Sequence, residues 1–143
     1  MISFTDWTTS HGLHITPHVF DQSTHTAAQA AEQLNCDISQ IAKSIVFKSA
    51  GKYFLAIGCG GQQINESKIS LSLSAAVEKA SAKEVKAITG YEIGGVPPFA
   101  LPNPFFVSDL LKHPLVYASA GTANSVFAID PHQLSKLLDA VLI

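Results

Sequence analysis

The segment KSIVFK, residues 43–48, alternates with period two. On a strand this sets Lys43, Ile45 and Phe47 on one face and Ser44, Val46 and Lys48 on the other. A lysine sharing a face with two inward-pointing residues either runs its ammonium out along the strand end or lines the mouth of a pocket. In the second case it can hold a carbonyl or phosphate oxygen. A second feature is TGYEIGGVPPF, residues 89–99. Gly94 and Gly95 allow close approach of backbone to a ligand, and their N–H groups, with that of Val96, can be aimed at an oxygen. Pro97 and Pro98 stiffen the next segment and cannot join a central ladder. A plain turn between a helix and a strand accounts for the same residues. The third is ASAGT, residues 118–122, a small-residue loop that leaves room for a ligand or simply closes a tight turn. No base stands beside Ser119 in sequence.

The remaining reactive types point less clearly to chemistry. His11, His14 and His18 have a spacing that can ligate a metal on a helix, with His25 beyond, but Gly12 and Pro17 interrupt that helix. Surface or loop histidines are the expectation, with no metal. Cys36 lies near a helix end, where a thiolate can be activated, while Cys59 closes an apolar strand and reads as a small core residue. The chain contains no G-x-S-x-G, no P-loop and no dinucleotide fingerprint, and no cofactor is expected.

These residues need elements to position them. A helix is expected from Thr24 to Leu34, with Thr24 as cap, apolar positions Ala27, Ala31 and Leu34, and Asn35 at the exit. Lys43–Lys48 and Tyr53–Ile57 flank an Ala50-Gly51-Lys52 turn and read as a β-hairpin. Asn65 can cap a helix, yet ISLSLS (69–74) alternates like a strand. Ser81 and Glu84 form a capping box for a short helix ending at Gly90. Strands are expected at 105–107, 115–118 and 126–129, and Asp130-Pro131 opens a last helix whose stripe is Leu134, Leu137, Leu138 and Val141. The first 23 residues show no helix period and one short strand within 15–20. Strands and helices mix without a βαβ rhythm, which indicates an α+β domain on a curved, partly closed sheet.

The 143 residues suit one domain, residues 1–143, with a real core: 47% are hydrophobic and 14% charged. Nine lysines, no arginine and a net charge of −2 argue against broad grip on a nucleic-acid duplex such as DNA. They leave room for a small footprint on a nucleic-acid end. No apolar run reaches membrane-span length, and MISFTDW lacks the pattern of a signal peptide. A cytoplasmic location with reduced thiols is the expectation.

Four segments, HTAAQAAEQL (25–34), IAKSIVF (41–47), ASAKEVKAITGYEIGGVPPF (80–99) and YASAGTANSVFAI (117–129), stand in an order that resembles the YbaK/ProX-type aminoacyl-tRNA deacylases. That family shares its fold with the editing domain inserted in bacterial prolyl-tRNA synthetases. The resemblance implies a mixed, strongly curved, barrel-like sheet surrounded by helices. It also implies hydrolysis of the ester between a wrong, small amino acid and the 3′ adenosine of a tRNA. The family's functional lysine falls on Lys43 and its glycine loops on Gly94, Gly95, Ser119 and Gly121. Lys43, Gly94 and Gly95 are therefore candidate catalytic residues, and His25, Thr26, Ile45, Val96, Pro97, Ser119 and Gly121 candidate substrate-binding residues. The implied partners are the acceptor end of an aminoacyl-tRNA and an aminoacyl-tRNA synthetase. Ala100, where the family motif often has glycine, and the segment GCGGQQINESKI depart from the pattern. A non-catalytic module that binds a tRNA end or a small amino-acid ligand is the alternative reading.

Overall fold

The computed structural model describes residues 1–21 and 26–143. Helix α1 (Phe4–Ser10) opens the chain, its first turn capped by Ser3 Oγ accepting from the Asp6 N–H. The sequence shows no helix here because seven residues are too few to display a period. Its identity rests on the cap and on Trp7, which is buried and stacks on Phe99 with ring centroids 4.8 Å apart. Strand β1 (His18–Val19) falls inside the expected range. Helix α2 (Ala27–Leu34) is capped by Thr26 rather than Thr24, which lies outside the described residues. Thr26 Oγ1 accepts from the Gln29 N–H, the Gln29 side chain accepts from the Thr26 N–H, and Asn35 ends the helix at φ 54°.

The hairpin is longer than its alternating segments indicate: β2 spans Ile41–Ser49 and β3 spans Lys52–Cys59. Ser49 pairs with Lys52 across a two-residue turn, Ala50 and Gly51, both at positive φ. The 69–74 segment is helical, part of α3 (Glu66–Leu73). Asn65 Oδ1 accepts from the Ser67 N–H, and Ile69 and Leu73, four apart, pack into one cluster while Leu71 between them is exposed. The alternation of ISLSLS is thus a helix seen with every second residue small. Strand β4 (Glu78–Lys79) leads to α4 (Ala82–Thr89), with the Ser81/Glu84 capping box and Gly90 at φ 79° as expected. Then follow β5 (Phe105–Phe106), β6 (Val116–Ser119), β7 (Ser125–Ile129), α5 (Pro131–Leu137) and β8 (Val141–Leu142). Val141 does not belong to the stripe of the last helix: the chain leaves the helix at Leu138, and Val141 pairs with Phe105 as an exposed edge residue.

The strands form one mixed sheet ordered β1-β7-β6-β2-β3-β5-β8, with β4 also pairing β2. β1 and β8 end this order, so the sheet is open rather than a closed barrel. Five α-helices among the described residues accompany it. Strand β2 carries the arrangement. β3 pairs it along eight residues on one side; on the other, β6 runs parallel to Ile41 and Ala42, and β4 runs antiparallel to Phe47 and Lys48. Among the described residues, no strand lies opposite residues 43–46 on that side.

One polar cluster ties α4 to the hairpin. Glu84 accepts from Tyr53 Oη at 2.7 Å, from Lys48 Nζ at 3.1 Å and from the Ser81 N–H at 3.0 Å. These donors hold its carboxyl down at about 2, the Ser81 backbone N–H contributing most. A depressed carboxyl stabilises the fold at pH values above its unfolded pKa, and that contribution disappears as pH falls from about 4.5 toward 2. Wild-type Tm should therefore drop through this window, and Glu84→Gln should lower Tm at pH 7 while flattening the acid limb. Parallel curves for the two proteins in thermal melts from pH 7 to pH 2 would refute this role.

Candidate functional site

A cavity of about 310 Å³ opens on the uncovered edge of β2. Its wall includes residues 41–45 of β2, Thr26 and Ala30 at the start of α2, Ile93, Gly94 and Val96 from the loop after α4, and Tyr117, Ser119 and Thr122 from β6 and the loop that follows. The site thus lies where parallel pairing gives way to antiparallel pairing, with two loops folded over the break.

These two loops are in contact. A side chain at Gly95 would be crowded: a Cβ there would lie 3.0 Å from Thr122 Cα and 3.2 Å from the Gly121 carbonyl oxygen. Gly94, at φ 92°, adopts a backbone that L-residues avoid. Gly121, at φ 118°, sits under the Tyr91 ring. Tyr91 in turn donates its phenol to the Ile2 carbonyl. Behind the glycines, Pro97 and Pro98 are fully buried, and Phe99 stacks on Trp7. The pair of glycines is where one loop packs on another, and the prolines are core.

Of the sequence candidates, Thr26, Lys43, Ile45, Gly94, Val96 and Ser119 meet at the cavity. Gly95, Pro97 and Gly121 support its loops without lining it. The Gly95 N–H donates to the Glu92 carbonyl at 2.9 Å, and the Gly121 N–H to Ser119 Oγ at 3.1 Å. Both donors are engaged within their own turns. His25 lies outside the described residues. Ala100 is half-buried against the cluster around Val46 and Leu55, away from the cavity. Sequence reasoning missed Ser44, Ile93, Tyr117 and Thr122. Ser44 and Tyr117 lie beside the break in strand pairing, which no local pattern displays. Ile93 and Thr122 neighbour glycines that the motifs did mark.

The Lys43 ammonium donates to the Gln62 carbonyl in the segment after β3, and among the described residues no carboxylate pairs with it. With one of its three N–H groups so placed, the others remain for a ligand. Burial, and then the nearby charge of Lys79, push its pKa below the usual lysine value. The thiols move the other way: burial raises Cys36, aided by Asp37, and burial raises Cys59. Neither has the surroundings of an activated thiolate. His11 bonds the Trp7 carbonyl at 2.8 Å as the C-cap residue of α1. Among the described residues, no three of His, Cys, Asp and Glu gather into a metal-binding group.

The cavity thus presents one lysine at its edge, with strand and loop backbone around it. The chain belongs to the aminoacyl-tRNA editing domain family, whose model matches residues 21–137. It is 31% identical over 137 residues to the uncharacterized protein YwhH of Bacillus subtilis (strain 168), covering 93% of this chain and 85% of that one. It is 32% identical over 120 residues to the proline--tRNA ligase of Bacillus licheniformis, covering 82% of this chain and only 21% of the ligase. Among solved structures, a candidate trans-editing enzyme for prolyl tRNA synthetase superposes with a TM-score of 0.89 at 30% identity. The match covers 95% of this chain and 89% of that one. The mixed, open sheet is therefore the trans-editing domain fold.

Gly95→Ala tests the packing of the two loops. Its φ suits any residue, so the cost is steric, on the order of 1–3 kcal/mol as for other overpacked sites. Urea unfolding of Gly95→Ala that matches wild type would show that the loops are not in this contact.

Proposed function

We propose that this chain is a trans-acting aminoacyl-tRNA deacylase that clears a small amino acid from a mischarged tRNA, with tRNA-Pro as the favoured carrier. The observation that carries this reading is the cavity itself. At about 310 Å³ it stands at the small end of ligand pockets and has mostly apolar walls, with a lysine at the edge that no carboxylate pairs among the described residues. It accommodates a small aminoacyl group more readily than a long one. The family and the similarity to a candidate trans-editing enzyme support the deacylase activity.

The chemistry asks little of the protein. An aminoacyl ester is already activated, so holding its carbonyl against a positive group and admitting water suffices. Water adds to the carbonyl carbon, the C–O bond to the ribose breaks, and the products are a free amino acid and a tRNA with its terminal hydroxyl restored. Lys43 is the group that stabilises the oxyanion of the tetrahedral intermediate, and the loop backbone at Gly94 and Val96 fixes the acyl carbon. The hydroxyls of Ser119, Thr122 and Ser125 are turned to other tasks. Ser119 Oγ accepts from the Gly121 N–H, and Thr122 Oγ1 lies 2.7 Å from Ser125 Oγ. Neither serine has a histidine partner among the described residues. The acceptor end is the part of the tRNA that a chain with nine lysines and no arginine can hold. A synthetase partner would supply the rest of the grip.

The test is a screen of mischarged tRNAs, centred on tRNA-Pro carrying Ala, Cys or Ser. Wild type should release the amino acid at catalytic concentration. Lys43→Ala should lose about 10²–10³-fold in kcat, as for removal of an oxyanion donor, while keeping the wild-type Tm. Full turnover by a folded Lys43→Ala protein would exclude the lysine. Binding of charged tRNA without ester loss from any of them would favour a non-catalytic module.

A further inference from the structure

We propose that Ser44 forms the subsite for the α-amino group of the aminoacyl ester, with its carbonyl and hydroxyl oxygens as acceptors. The inference rests on the reading of the cavity as an aminoacyl site. Three observations lead to it. First, β2 is paired with β6 through Ala42 and with β4 from Phe47, so Ser44 sits at the middle of the uncovered edge. Second, backbone direction alternates along a strand. The Ile41 carbonyl accepts from the Gly60 N–H at the end of β3, and the Val46 carbonyl accepts from the Ala80 N–H on the opposite side. The Ser44 N–H and carbonyl share the direction of Val46 and so point into the gap. Third, Ser44 Oγ is shielded from solvent and has no hydrogen-bond partner, the one such side-chain atom among the described residues. Ser44 itself lines the cavity.

A buried hydroxyl without a partner destabilises the unliganded protein and awaits a polar group. Rotation about one torsion carries it between staggered positions. Four other hydroxyls at the cavity are already bonded: Thr26 caps α2, Ser119 holds the Gly121 N–H, and Thr122 and Ser125 meet each other. An α-amino group, which every aminoacyl ester carries, brings several N–H donors. Ser44 offers two oxygens to receive them. Because side chains alternate, Ser44 and Lys43 leave β2 on opposite faces, so the Lys43 cation does not compete for the same place.

The experiment uses full-length protein and two non-hydrolysable probes: 3′-alanylamino-3′-deoxyadenosine with a free amine, and its N-acetyl form. Calorimetry should show wild type binding the free amine about tenfold or more tighter than the acetylated probe, the range for a hydrogen bond to a charged group. In Ser44→Ala that preference should shrink by about tenfold, through weaker binding of the free amine. Ser44→Thr, which keeps the hydroxyl, should retain the preference. Since Ser44→Ala removes an unpaired buried hydroxyl, its Tm without ligand should rise by roughly 2–4 °C. A preference in Ser44→Ala equal to that of wild type, a lower Tm, or failure of wild type to bind the free-amine probe would each overturn the assignment. The deacylase reading falls on a separate result, namely no ester loss from any mischarged tRNA with wild type.

Discussion

Strand β2 shares one of its sides between two neighbours that pair with different parts of it, and the site lies between them. Parallel and antiparallel pairing place backbone bonds differently. Here β6 pairs in one sense and β4 in the other, on either side of a four-residue interval. An uncovered edge inside a sheet must meet water, another segment or a ligand, because buried backbone groups need partners. The cavity supplies that space, and the glycine loop, the 119–125 loop and the start of α2 enclose it.

The rest of the molecule frames this interval. On one flank the Glu84 cluster fastens α4 to β2 and β3, and Gly90 turns the chain straight into the loop over the site. Behind the loop, Pro97 and Pro98 are core residues and Phe99 is pinned by Trp7 of α1. In front, Gly95 lies close against Thr122, so the two loops pack on each other. A catalyst that acts by position rather than by a strong nucleophile depends on such a frame, since small displacements of the acyl group weaken every electrostatic contact.

Much of the frame is legible in the sequence because it is local. The Ser81/Glu84 capping box, the Ala50-Gly51 turn and the Asp130-Pro131 helix start each depend on residues within a few positions. Where the reading failed, two local signals competed or none existed. The alternation in ISLSLS imitated a strand until the Asn65 cap and the burial of Ile69 made it a helix. Thr24 and Thr26 are equally good caps by type, and the bond to Gln29 falls on Thr26. Helix α1 was too short to show a period, and Val141 continued a helical spacing past the point where the chain turns into β8.

The candidate site divides along the same line. Lys43, the paired glycines and the small-residue loop are marked by residue type, because a cation beside inward apolar residues and adjacent glycines are unusual on their own. Their order along the chain also identifies the editing family. What each one does at the cavity was decided by tertiary structure. Gly95 proves to be a contact between loops, Gly121 turns its N–H back on Ser119, and Lys43 anchors on Gln62. Ser44 follows Lys43 directly but reads, by type, as an ordinary outward residue of an alternating strand. It matters because two strands that pair with β2 stop short of it, and strand pairing joins residues far apart in the chain.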